Sequence, residues 1–142
     1  MIIRDAQKEE LQKNAEDDFE IDIVNFLQSD YPDIVADLEP GLLRLMVRVG
    51  IARARSYDLT WRYSISMFVS LMFMFAPNFD EHPVINERLT NPIAERNELI
   101  DSVADSTTSK EWEETRIVYD GAAWGEAAEL LPESWRAKWT GA

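Results

Sequence analysis

The sequence predicts an all-α fold, a compact bundle of about five to seven helices around one apolar helix at about residues 61–75. Three observations carry this. Apolar residues recur at steps of three and four through the long segments, strand-like alternation is absent from them, and prolines and small polar residues fall where helices start and stop. With 142 residues, 46% of them hydrophobic and five of them Trp, the chain is the size of one domain and able to bury roughly two thirds of its surface. Residues 1–106 are expected to form the bundle, and 107–142 a C-terminal helical extension packed on it.

The first helix is predicted from Asp5 to about Ser29. Leu11, Ala15, Phe19, Ile23, Phe26 and Leu27 define its apolar face, widened by Ile21 and Val24, and Asp and Glu occupy much of the rest. Pro32 after Asp30 opens a short helix over Tyr31 to Asp37. Glu39-Pro40 starts the next, in which Leu42, Leu45, Met46, Val49, Ala52 and Ala54 run inward as far as Tyr57. Arg44, Arg48 and Arg55 share its opposite side, whereas Arg53 falls near the apolar face and is expected to lie partly buried against a carboxylate.

Thr60 is read as the N-cap of Trp61 to Phe75, a helix apolar around nearly its whole circumference and therefore expected at the centre of the bundle. Ala76 to Pro83 contains two prolines and an Asn and is expected to be a loop. Beyond it, a short helix is predicted over Val84 to Leu89. Asn91-Pro92 then opens Ile93 to Ala104, with Ile93, Leu99, Ile100 and Val103 inward. Thr108 with Glu111 fits a capping box, after which Trp112, Thr115, Val118 and Tyr119 are placed inward. Past Gly121 the chain is rich in Ala and Trp, and two short helical pieces are expected, about Ala122 to Leu131 and Pro132 to Trp139.

The chain has no Cys, which excludes disulfides, thiolate metal sites and cysteine nucleophiles and fits a reducing compartment. It lacks a hydrophobic leader, and its longest nearly apolar run, Ile65 to Ala76, is too short to span a membrane, so the expected location is the cytoplasm. Formal net charge is −13 and unevenly distributed: residues 1–40 hold 12 acids and 3 bases, residues 41–66 hold 1 acid and 5 bases. So negative a surface repels phosphate backbones and favours a basic protein partner over nucleic acid.

No reactive constellation stands out, and no cofactor is expected. A GxSxG or SxxK segment and a glycine-rich phosphate loop are missing. The lone His82 sits beside Asp80 and Glu81, a set able in principle to hold a metal or act as acid and base; the preferred reading is that Asp80 and His82 cap helix ends or hold the loop. The row Arg44, Arg48, Arg55 suits either an acidic partner or the acidic first helix of the same chain, and the internal pairing is favoured. Trp124, Trp135 and Trp139 are candidate partner-binding residues, with packing back onto the bundle the equal alternative.

Ile2-Ile3-Arg4 with Gln7, Phe19, Phe26-Leu27, Tyr31-Pro32, Leu43-Arg44 with Gly50-Ile51, Ala54 and Tyr57, and then Leu71-Met72-Phe73 and Phe79-Asp80 with Pro83, form a pattern over about residues 1–100. It resembles small helical proteins encoded beside the spike, PAAR-tip and effector genes of bacterial type VI secretion systems. Ala76-Pro77-Asn78 departs from that pattern, since the family often has a small residue after the phenylalanine-rich helix. The resemblance implies a non-enzymatic protein-binding accessory, an adaptor or chaperone for an effector or spike. An immunity protein that neutralises a toxin domain is the alternative, and a hydrolase using Asp80, Glu81 and His82 the outsider.

Overall fold

A computed structural model describes the backbone of residues 2–135 and the side chains of residues 7–135. The described residues form a helical bundle with no strand among them. The α-helices are α1 (Ile2–Asp30), α2 (Pro32–Val35), α3 (Pro40–Arg55), α4 (Arg62–Met74), α5 (Pro83–Leu89), α6 (Leu99–Ser106) and α7 (Ser109–Ile117). Three 3-10 segments, Phe79–Glu81, Arg96–Glu98 and Gly121–Leu130, join or follow them.

The core is built on α3 against α4. Leu43, Met46, Val47, Ile51 and Ala54 face Ile65, Phe68, Val69 and Met72, all of them buried. Gly50 lets the two backbones approach: a Cβ there would stand 3.0 Å from Val69 Cγ2 and 3.3 Å from Met72 Sδ. Phe19, Ile23 and Leu27 of α1 join this core from one side. The C-terminal segment joins it too, through Trp124, Ala127, Leu131 and Trp135.

Several helix limits differ from those the spacing predicts, each for a local reason. Leu11 is 70% exposed and Ala15 is exposed, because among the described residues no other element runs beside the first half of α1. The helix predicted from Ile93 begins at Leu99, after the 3-10 turn Arg96–Glu98. There the Asn91 side chain takes the Ile93 N–H, Ile93 is exposed, and the Glu95 carboxylate takes the Glu98 N–H as the cap of the 3-10 turn. Val118 is exposed, since α7 ends at Ile117 and its inward residues are Trp112 and Thr115. Residues 121–130 are 3-10 rather than α, broken at Gly125, whose φ of 60° is a backbone state that favours glycine. The capping box of Thr108 and Glu111 forms in both directions.

Candidate binding groove

The central helix is open along one side. Along α4, Tyr63 is 57% exposed, and Ser66, Met67, Met74 and Phe75 are only partly covered. This stripe forms one wall of an open, largely apolar groove of about 630 Å³. Phe19, Asp22, Ile23 and Phe26 of α1, at the i, i+3, i+4, i+7 spacing of a single helix face, form the facing wall. Tyr31, Trp112 and Ala104 of α6 complete its lining.

Ring and charge contacts order the lining. Phe26 and Tyr31 meet edge to face, with centroids 5.9 Å apart. Phe75 and Trp112 stack at 4.2 Å with planes 12° apart, and Arg116 lies over the Phe75 ring at 5.5 Å. The guanidinium of Arg62 sits 5.0 Å from the Phe19 centroid and 3.7 Å from Asp22. On the other lip the Tyr63 hydroxyl donates to Asp101 at 3.1 Å, which raises the phenol above its ordinary value, with Asp105 adding to the effect.

The arginine row turns inward onto the same chain. Arg44 and Arg48 both grip Glu20, with Nε–O distances of 3.0 Å, and Arg44 also reaches Asp17 at 3.1 Å. Burial works to raise the Glu20 carboxyl, but the hydrogen bonds from Arg48 and Arg44 outweigh it and leave the group below its ordinary value. Arg55 makes a two-pronged pair with Glu16 at 2.7 and 3.0 Å, and that hydrogen bonding lowers Glu16. These contacts dock the middle of α1 on α3, the internal pairing favoured for Arg44, Arg48 and Arg55.

Trp124 and Trp135 are likewise interior, 0% and 1% exposed, with centroids 4.8 and 6.2 Å from the Phe73 ring. As partner-binding residues they are displaced by the packing alternative, because α3 and α4 leave a space that the C-terminal segment fills. Trp139 lies outside the described residues.

Asp80, Glu81 and His82 do not converge. The Asp80 carboxylate accepts from Arg53 Nε at 2.9 Å and from the Tyr57 hydroxyl at 2.6 Å, and Asn86 Nδ2 donates to its carbonyl. Arg53 thus meets the carboxylate its position anticipates. Burial and the bond to Asp80 push the Tyr57 phenol well up. His82 Nδ1 accepts the Val84 N–H as the cap of α5, and Nε2 lies 3.2 Å from Glu114 of α7. Glu81 is exposed. Among the described residues no three His, Cys, Asp or Glu side chains lie close enough to hold a metal ion.

Comparison with protein-family models, with curated proteins and with solved structures finds no match. No helix among the described residues is long and apolar enough to cross a membrane.

Two organising residues escaped the sequence pattern. Asn97, buried, accepts the Thr60 and Trp61 N–H groups at 2.8 Å through Oδ1 and donates to Thr60 Oγ1 at 3.0 Å, while its carbonyl accepts from Ser64. It holds the two residues that lead into α4 from 36 residues away in sequence, where the sequence pattern makes Thr60 the cap; α4 itself has no side-chain cap. Asn78 ties the loop to the end of α7, donating to the Val118 carbonyl at 3.1 Å and accepting from the Asp120 N–H at 3.0 Å. An isolated Asn carries no local spacing signal for a contact so distant in the chain.

Proposed function

We propose that this protein is a non-enzymatic binding module that engages a protein partner through the α1/α4 groove, acting as an adaptor or chaperone for an effector or spike of a type VI secretion system. The observation that carries the binding role is the open stripe of α4. An apolar helix in a bundle is normally covered around its circumference, and contiguous uncovered aromatic and methionine surface marks an interaction site. Met67 and Met74 suit such a surface because an unbranched thioether adapts to varied partner shapes. The secretion-system setting rests on the sequence resemblance alone.

The test is co-expression with the spike, with the leader segment of the effector encoded beside it, and with the isolated toxin domain. Capture by the leader or spike, without rescue of growth by the chain against the toxin domain, is the expected result. Tight binding to the toxin domain with rescue of growth would overturn the adaptor reading in favour of immunity.

A further inference from the structure

The walls of the groove have the form of a missing neighbour. Phe19, Ile23 and Phe26 make one ridge along α1; Tyr63, Met67 and Met74 make another along α4. Both run at helical spacing, and α4's 13 residues give a trough about 20 Å long, matching three to four turns of a third helix. The inner parts of these walls, at Phe19, Ile23 and Leu71, are each 5% exposed or less, and their lips, with Phe26 at 41% and Tyr63 at 57%, are open.

Charge selects the occupant. The lips carry Asp22 and the Asp101–Asp105 side of α6; Arg62 is paired to Asp22, and Arg116 lies over Phe75 while donating to the Met74 carbonyl. The chain around them bears a net −13. A second copy would bring another −13 to the same contact, and an anionic membrane would be repelled likewise. We infer that the groove takes an amphipathic helix whose apolar face carries large aliphatic or aromatic residues and whose flanks carry Lys or Arg. This deepens the binding role proposed above and rests on it.

The test uses the full chain and fluorescently labelled synthetic peptides of about 18 residues, long enough for three to four helical turns plus ends. One has a Leu face with Lys flanks, a second the same face with Glu flanks. The Lys peptide is expected to bind, to weaken as salt rises, and to lose about tenfold or more in affinity on Met67→Glu or Phe26→Asp. Ile93→Ser, at an exposed apolar site outside the groove, is expected to leave binding unchanged. Thermal melts of each variant establish that it is folded. Equal binding of the Glu peptide, no effect of either groove variant on binding, or a dimer that Met67→Glu dissolves would each overturn the inference. If the leader or spike captures the chain as tightly with Met67→Glu and Phe26→Asp as without, the adaptor role stands and the groove inference falls; if the Lys peptide behaves as expected while no secretion-system component binds, the reverse holds.

Discussion

Gly50 of α3 and Val69 of α4 lie so close that a methyl group on the glycine would come within 3.0 Å of one Val69 methyl and 3.2 Å of the other. In a free helix Ala is better than Gly by about 1 kcal/mol, so the sign of Gly50→Ala depends on whether the neighbours can yield. Val69 is 0% exposed and stiff at χ1, and Met72 is 1% exposed. We expect Gly50→Ala to destabilise by about 1 kcal/mol and Gly50→Val by about 3 kcal/mol in urea unfolding. Combining Gly50→Ala with Val69→Ala should cost less than the two single losses added together; strict additivity would show that the contact is not the cause.

The docking of α1 should be acid-sensitive. Glu20 and Glu16 have folded values below their ordinary 4.5, so their contribution is fully present above 4.5 and is lost as the pH falls through the lowered values. Helix content and stability followed by circular dichroism should therefore decline on acidification below pH 4.5. Glu20→Gln should flatten part of that dependence; an unchanged acid limb would separate α1 docking from these carboxylates.

Asn97→Ala removes the acceptor of two backbone N–H groups, those of Thr60 and Trp61, and the donor to Thr60 Oγ1 just ahead of α4, and it takes a buried side chain from the core. A loss of about 2–3 kcal/mol is expected from thermal or urea unfolding. Thr60→Ala should cost less, because it removes only the contact to Asn97 Nδ2 and leaves the bonds to Asn97 Oδ1 in place. If Thr60→Ala were the costlier, Thr60 rather than Asn97 would hold the entry to α4.

Asp80→Ala and His82→Ala separate scaffold from chemistry. The first strips the buried partner from Arg53 and Tyr57 and should destabilise by about 2–4 kcal/mol, short of the full penalty because Arg53 still has Glu81 at 3.7 Å. The second should leave partner binding intact with a loss of about 1 kcal/mol from the α5 cap. Abolition of a measurable turnover by His82→Ala in a stably folded protein would restore the hydrolase reading.

What the sequence made legible follows from the range of each interaction. The all-α class, the central place of α4, the capping box at Thr108 and the Arg53 pairing all leave traces within one or two helical turns. So does the mutual attraction between an acidic first helix and the Arg44–Arg48 face, once charge is counted along the chain. Contacts made between distant segments leave none. Asn97 looks like any loop Asn, and Ile93 looks like an inward helix residue until the Asn91 turn takes its N–H. The groove is hidden for a different reason: an apolar stripe reads the same whether it is covered or left open, so Met67 and Met74 pass for core until the neighbours are counted.

The first half of α1 carries a practical corollary. All side chains from residue 7 to residue 15 point to solvent, whereas the groove begins at Phe19. At about 1.5 Å per residue, a dye or affinity handle joined at the start of that helix sits some 25 Å along the axis from the nearest groove wall. The arm is thus a built-in stand-off by which the molecule can be immobilised while its apolar trough stays accessible to incoming peptides.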